Sequence, residues 1–169
     1  MVSIGPNSQS GNLTHMFDFV DLRGQRAKAP IEPNSLMGVI NNTSKFSFFK
    51  YIIEKAMMCD ILSSSQADFT IFVPDNSAFL EKDIEDMDVS LARHIVRAST
   101  LDRKISSELL EDSVVSYFTT KDPSNRLLIR NFNGDTFLND YAKIIYKDII
   151  TSNGIIHVVD TLIIPEYLG

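Results

Sequence analysis

A single cysteine, Cys59, rules out an intramolecular disulfide, so the fold must be held by its core. No stretch approaches the roughly 18 apolar residues that a membrane-spanning helix needs. The start, Met1-Val2-Ser3-Ile4-Gly5-Pro6-Asn7, has neither the basic residues nor the apolar run of a secretory signal. The C-terminus at Gly169 has no hydrophobic tail of the kind that directs lipid anchoring. These absences set the expectation of an intracellular or particle-bound protein, extracellular only if the native start lies elsewhere. Basic residues are in short supply as well: 16 Lys and Arg stand against 22 Asp and Glu, a net charge of −6. Their only concentration is Arg23, Arg26 and Lys28 near the N-terminus. Nucleic acid is therefore not an expected partner, because binding it needs clustered cations to displace counterions. Adhesion to acidic membrane surfaces is disfavoured on the same grounds, and without a spanning run membrane insertion is not expected.

What is present is ordinary globular material, with 44% hydrophobic and 22% charged residues in 169 positions. That length makes one domain with a tail, large enough to bury a core without covalent staples. Residues 1–33 are rich in Gly, Pro, Asn, Ser and Gln and are expected to form a flexible arm with no core of its own. Within it, His15-Met16-Phe17-Asp18-Phe19-Val20 is an aromatic patch that either lies on a partner or folds back on its own domain.

Regular structure is predicted from Asn34-Ser35, capping residues placed after Pro33. Leu36, Val39 and Ile40, then Phe49, Ile52, Ile53, Ala56 and Met57, fall at helical spacing on either side of a break at Asn41–Ser44. Cys59 lies among Ala56, Met57, Met58, Ile61 and Leu62, the setting of a buried, inert thiol. Phe69–Val73 is a compact strand ended by Pro74, and short helical pieces are expected near 78–80, 91–96 and 105–110. Strand-forming runs follow at 114–118, 127–129, 143–146 and 155–159, with Asn133-Gly134 and Asn153-Gly154 as turn signals. Helices first and strands clustered afterwards point to an α+β domain over 34–166.

The residues of chemistry are sparse. His157 and Asp160, with any of several serines, supply the residue types of a hydrolase. No G-x-S-x-G elbow or glycine-rich loop for an oxyanion hole accompanies them, and His157 sits inside a β-branched run, so no enzyme activity is expected. The acidic run Glu81, Asp83, Glu85, Asp86, Asp88 lacks the turn glycine and terminal glutamate of a calcium loop and reads as a solvated face. No phosphate-cradling glycine motif occurs, and no cofactor or metal is expected. Asn12-Leu13-Thr14, Asn41-Asn42-Thr43 and Asn42-Thr43-Ser44 are formal glycosylation sequons that matter only in a secretory compartment.

Two stretches together resemble the signature boxes of the fasciclin domain family. Phe69-Thr70-Ile71-Phe72-Val73-Pro74-Asp75-Asn76-Ser77-Ala78-Phe79 is similar to the first box, with Val73 and Asp75 as departures. Thr151-Ser152-Asn153-Gly154-Ile155-Ile156-His157-Val158-Val159-Asp160, followed by Leu162-Ile163-Ile164-Pro165, is similar to the closing box. His94-Ile95-Val96 and Leu138-Asn139 resemble the elements between. The resemblance implies twisted β-sheets forming a wedge or sandwich, with several short helices packed at one side. It assigns Phe72, Pro74, Asn76, Phe79, Asn153, Gly154, His157 and Asp160 to maintaining the fold, Asn76 as a helix cap and Gly154 as a turn glycine with positive φ. It also implies binding to other proteins, either assembly neighbours or a surface receptor. Arg93 precedes His94 where integrin-binding members carry a Tyr-His pair, so integrin recognition through that pair is not implied. The candidate contact residues are Phe17, Phe19 and Val20 in the arm, with Arg93 and His94 in the domain. The expected role is structural, such as a minor capsid protein of a large DNA virus; the alternative is a cell-surface or secreted adhesion module.

Overall fold

The computed structural model describes residues 16–20, 26–80 and 84–165, of which 16–20 and 26–30 are described by backbone alone. Within the span expected to be an arm, β1 (Met16–Val20) and β2 (Arg26–Pro30) pair antiparallel, from Met16↔Pro30 to Val20↔Arg26. This ladder is a separate two-stranded sheet. The side chain of Ile31, immediately after β2, enters the main core.

Three helices follow the sequence signals, and a short one at Cys59–Ser63, which the sequence did not signal, lies between them. Ser35 caps α1 (Leu36–Asn42) by accepting the Gly38 N–H at 3.0 Å. A 3₁₀ turn at Ser44–Phe46 then redirects the chain into α2 (Ser47–Lys55). The short α3 (Cys59–Ser63) precedes the first long strand, and α4 (Val89–Ala98) is capped by Asp88 through the Leu91 N–H at 2.8 Å. Each presents its apolar stripe to one side: Leu36, Ile40, Phe49, Ile52, Ile53, Leu62, Ile95 and Val96 are fully buried. A side chain of this size contributes about 1.5–3 kcal/mol on burial, so packing rather than propensity holds these short helices.

The remaining elements are β3 (Phe69–Pro74), β4 (Thr100–Leu101), α5 (Ser107–Leu110), β5 (Val115–Thr119), β6 (Arg126–Phe132), β7 (Asp135–Leu138), β8 (Ala142–Thr151) and β9 (Gly154–Val159). The strands form one seven-stranded sheet in the order β4-β3-β9-β8-β7-β6-β5. All neighbours run antiparallel except β3 and β9, which are parallel. β8 joins two halves: Ala142 and Lys143 pair with β7, while Ile144 to Thr151 pair with β9 through two irregularities. The sheet curls far enough for its two margins to meet, at an isolated Leu101↔Thr120 bridge and a 2.9 Å bond from Lys121 N–H to the Thr100 carbonyl.

Curling creates two cores on opposite faces of β3 and β9. Phe69, Ile71, Val73, Ile156 and Val158 face the helices. Phe72 and Val159 face inward, with Leu101, Ile105, Leu127, Ile129, Leu138 and Ala142. Both strands are therefore buried along their whole length, which explains their continuous apolar runs.

Candidate functional site

A polar bracket of Ile105, Ser107 and Asp148 surrounds the buried imidazole of His157. Asp148 takes a left-handed φ of 62° where β8 slips register between Tyr146 and Ile149. Its carboxylate accepts the Ser107 N–H at 2.8 Å and the Ser107 hydroxyl, and so caps α5 from across the fold. Its own N–H donates to His157 Nδ1 at 3.1 Å. With Nδ1 accepting, Nε2 carries the ring proton and donates to the Ile105 carbonyl at 2.9 Å. The ring is fully buried and stacks on Phe72 with centroids 5.6 Å apart. Burial holds the His157 pKa below its usual value, against the opposing bond to Ile105 and the Asp148 charge. Partial burial pushes the Asp148 carboxyl upward, but the two bonds from Ser107, together with His157 and Lys147 nearby, outweigh it and leave the pKa lowered.

The residue types of a hydrolase triad thus meet, in an order that cannot perform nucleophilic catalysis. The serine hydroxyl donates to the carboxylate, the imidazole receives a backbone N–H, and the ring proton is committed to a carbonyl. Activation requires the hydroxyl to donate to the imidazole. Asp160 is placed elsewhere: its carboxylate accepts the Lys143 N–H at 2.9 Å and the Thr161 hydroxyl at 3.0 Å.

Asn153, 3% exposed, bonds three backbone groups in two separate segments. Its Oδ1 accepts the Leu36 N–H at 2.7 Å, at the start of α1, and its Nδ2 donates to the carbonyls of Leu62 and Ser64 at 3.0 and 2.9 Å. Gly154 differs from the sequence expectation. Its φ is not positive; it is the first residue of β9, where an added Cβ would lie 2.2 Å from the Phe69 carbonyl oxygen. The need is for close approach, not for a left-handed turn. Asn133-Gly134, by contrast, is a turn with φ of 52° and 83° at its two residues.

Asn76 also differs. The 3₁₀ turn it begins is capped by Asp75, through the Ser77 N–H at 3.1 Å. The Asn76 side chain instead caps α2, accepting the Phe48 N–H at 3.0 Å and donating to Ser47 Oγ at 2.9 Å and the Ser44 carbonyl at 3.2 Å. Phe79 is half-buried and meets Phe48 edge-on at 5.9 Å, while Pro74 is buried at the end of β3 opposite Val159.

Arg93 and His94 lie on α4, both half-buried, and His94 Nδ1 is 3.4 Å from the carboxylate of Asp122 in the β5–β6 connection. Phe17, Phe19 and Val20 fall in β1, where their side chains are outside the described part, as is His15 altogether. The Cys59 thiol is half-buried, and burial, followed by the charges of Glu54 and Asp60, pushes its pKa up to about 12. Of the acidic run, Glu81 and Asp83 lie outside the described residues, while Glu85, Asp86 and Asp88 are exposed. Among the described residues no three His, Cys, Asp or Glu side chains converge as metal ligands, and no helix is long and apolar enough to cross a membrane.

Sequence reasoning missed Asp148 and Asp140, both in left-handed conformations. It also missed a set of large apolar side chains on the surface. Val114, Tyr117, Phe132, Tyr146 and Ile150 are each more than half exposed. They could not be told from core residues by type, and only the curl of the sheet decides which side of each strand is covered.

The comparisons agree with this architecture. Human periostin is 31% identical over 136 residues, 78% of this chain and 16% of its own length. Rat stabilin-2 is 33% identical over 107 residues, 59% of this chain and 7% of its own. The chain therefore spans less than a fifth of the curated relatives it matches. A solved domain pair from the insect cell adhesion molecule fasciclin I superposes with a TM-score of 0.67 at 19% identity, covering 79% of this chain and 52% of the pair. A family model described as the fasciclin domain matches residues 44–165, from the turn before α2 to the end of the closing box. On that match and the shared seven-stranded architecture, the chain belongs to the fasciclin domain family.

Proposed function

We propose that this chain is a protein-interaction module without catalytic function, working by surface contact. The observation that carries the reading is the distribution of side chains in the fold. The polar groups singled out by the motifs bond to the chain's own backbone, as Asn76, Asn153, His157 and Asp160 do, while large apolar groups such as Val114, Tyr117 and Phe132 face outward. Exposed apolar groups set among charges are the composition of contact surfaces. In this reading the N-terminal arm, through Phe17, Phe19 and Val20, and the α4 face around Arg93 and His94 supply further contacts.

Two settings follow. One is a fixed place in a larger assembly, of which a minor capsid protein in the virion of a large DNA virus is the specific form. The other is cell adhesion, and it has the relatives on its side, since the solved neighbour comes from a cell adhesion molecule. Sedimentation of the untagged protein from its native source, with the peak tested for sugar, separates them. Unglycosylated co-sedimentation with a protein particle supports assembly. Recovery as a glycosylated species in the medium or on membranes supports adhesion and removes the capsid form. A free monomer in every fraction overturns the interaction reading itself.

A further inference from the structure

The chain holds two Asn-Gly pairs, Asn133-Gly134 and Asn153-Gly154, and the fold treats them in opposite ways. An asparagine before glycine is chemically labile, because no Cβ keeps the glycine nitrogen from reaching the asparagine Cγ. Closure of the succinimide ring needs a side-chain amide in water, a following N–H without a partner, and a backbone able to turn. Asn153 fails on the first and third. It is 3% exposed, its Nδ2 is held by the carbonyls of Leu62 and Ser64, and Gly154 is clasped between Phe69 and Thr151 at the start of β9. Two Asn-Ser pairs are closed by the second condition. The Ser35 N–H after Asn34 donates to the Glu32 carbonyl at 3.0 Å, and the Ser77 N–H after Asn76 donates to the Asp75 carboxylate at 3.1 Å.

Asn133-Gly134 meets all three conditions. Both residues are exposed and form the two-residue loop between Phe132 and Asp135, which pair across it. In such a loop the ladder bonds belong to the flanking residues, so the Gly134 N–H lies outside the ladder. A Cβ added at Gly134 would touch nothing within 4 Å, so no neighbour hinders its movement. Ring closure must carry Asn133 out of its left-handed conformation, at φ 52°. What opposes this is the Phe132↔Asp135 pair at the end of the ladder, and its opening is local fraying rather than unfolding.

We infer that Asn133 is a site of spontaneous deamidation, which makes the tip of the β6–β7 hairpin acidic as the folded protein ages. The Gly134 nitrogen bonds to Asn133 Cγ and gives up its proton. The Cγ–Nδ2 bond breaks, and ammonia leaves with that proton. Water then opens the succinimide at one of its two carbonyls. Breaking the bond to Cγ gives aspartate; breaking the bond to the α-carbonyl carbon gives isoaspartate, with the main chain running through Cγ. No electrons are transferred, and water is the only co-reactant. Either product adds a negative charge to a chain already at −6, beside Asp135 and directly after Phe132, whose side chain is 64% exposed. Isoaspartate also lengthens a loop whose geometry matches the twist of its strands, so the Phe132↔Asp135 pair should fray.

The inference stands on the chemistry of this chain alone and does not rest on the interaction reading. The full chain is incubated at mildly alkaline pH, folded and in urea, then digested for peptide mass spectrometry. Isoaspartate is counted by labelled methyl transfer from S-adenosylmethionine, using an isoaspartate-specific carboxyl methyltransferase as the probe. In the folded chain Asn133 should convert more than about tenfold faster than Asn153, whose reaction must wait for a much larger opening. In urea Asn153 should accelerate until the two Asn-Gly pairs convert alike. Asn133→Gly removes the amide and keeps a loop suited to positive φ at both positions. Folded, that variant should lose the methyl-accepting species and the acidic form that accompanies it. An intact Asn133 in the folded chain, over a period in which the unfolded chain converts, overturns the inference. So does equal conversion of Asn133 and Asn153 in the folded chain, or an undiminished yield of isoaspartate from folded Asn133→Gly.

Discussion

At the scale of the residue, the closing box derives its importance from one asparagine and one glycine used in ways unrelated to a turn. Asn153 replaces water for three backbone groups at once: the first N–H of α1 and two carbonyls at the C-terminal end of α3. An unpaired buried backbone group costs about 1–3 kcal/mol. Asn153→Ala is accordingly expected to lower the unfolding free energy by about 2–4 kcal/mol in urea titration, with the slope unchanged. Gly154→Ala should cost at least as much, because Phe69 must move to admit a Cβ 2.2 Å from its carbonyl oxygen. A loss below about 0.5 kcal/mol in either variant, the range of ordinary surface changes, would show that the segments are held by packing alone. The Asn-Gly pair was legible in the sequence as something special. Its purpose was not, since Asn153 acts on residues distant in the chain and Gly154 is constrained by a strand it meets only after folding.

At the scale of the element, what could be read in advance divides by range. Strands β3 and β9, helices α1, α2 and α4, and the Asn133-Gly134 hairpin were legible because each is specified by its own residues. The α2 cap was misassigned to the turn containing Asn76 because that asparagine acts on Phe48, in an earlier segment. The Asp148 irregularity was invisible for the same reason, being fixed by Ser107 and His157. This bracket has a consequence for pH. Above about 6.5, the ordinary histidine value, His157 is neutral whether folded or not. As pH falls below that, the unfolded chain takes up a proton that the buried ring refuses, with Asp148 and Glu111 near it favouring the charge and Lys147 opposing it. The folded pKa is depressed, so stability is complete above the unfolded value and declines toward the folded one. The slope approaches about 1.4 kcal/mol per pH unit at most. Asp148, also depressed, adds its loss only below the usual carboxylate range. His157→Gln retains a donor for Ile105 and does not titrate. Its urea midpoint should therefore fall less between pH 7 and pH 5.5 than that of the unsubstituted chain, and equal slopes would place the acid sensitivity elsewhere.

At the scale of the whole molecule, the two cores are not separable units, because β3 and β9 furnish a wall to each. The helical core is the one the chain enters first, and it does so earlier than composition indicates. Ile31 is 6% exposed and belongs to that core, while the Glu32 carbonyl accepts bonds from the Ser35 N–H and hydroxyl that set up α1. We therefore propose that the boundary between arm and domain lies just before Ile31. Two truncations distinguish this from a boundary after Pro33. Removing residues 1–30 takes away β1 and β2, a two-stranded ladder of the kind that adds little stability in water. That protein should unfold within about 0.5 kcal/mol of the full chain. Removing residues 1–33 also deletes Ile31 and the Glu32 carbonyl, and should cost about 2–4 kcal/mol more from lost burial and lost capping bonds. Ile31→Ala in the full chain should reproduce most of that difference. If both truncations prove equally stable, Ile31 contributes nothing to the core. If both are equally destabilised, the β1–β2 ladder is itself part of the domain, and the loss of a partner on truncation would no longer report on the arm alone.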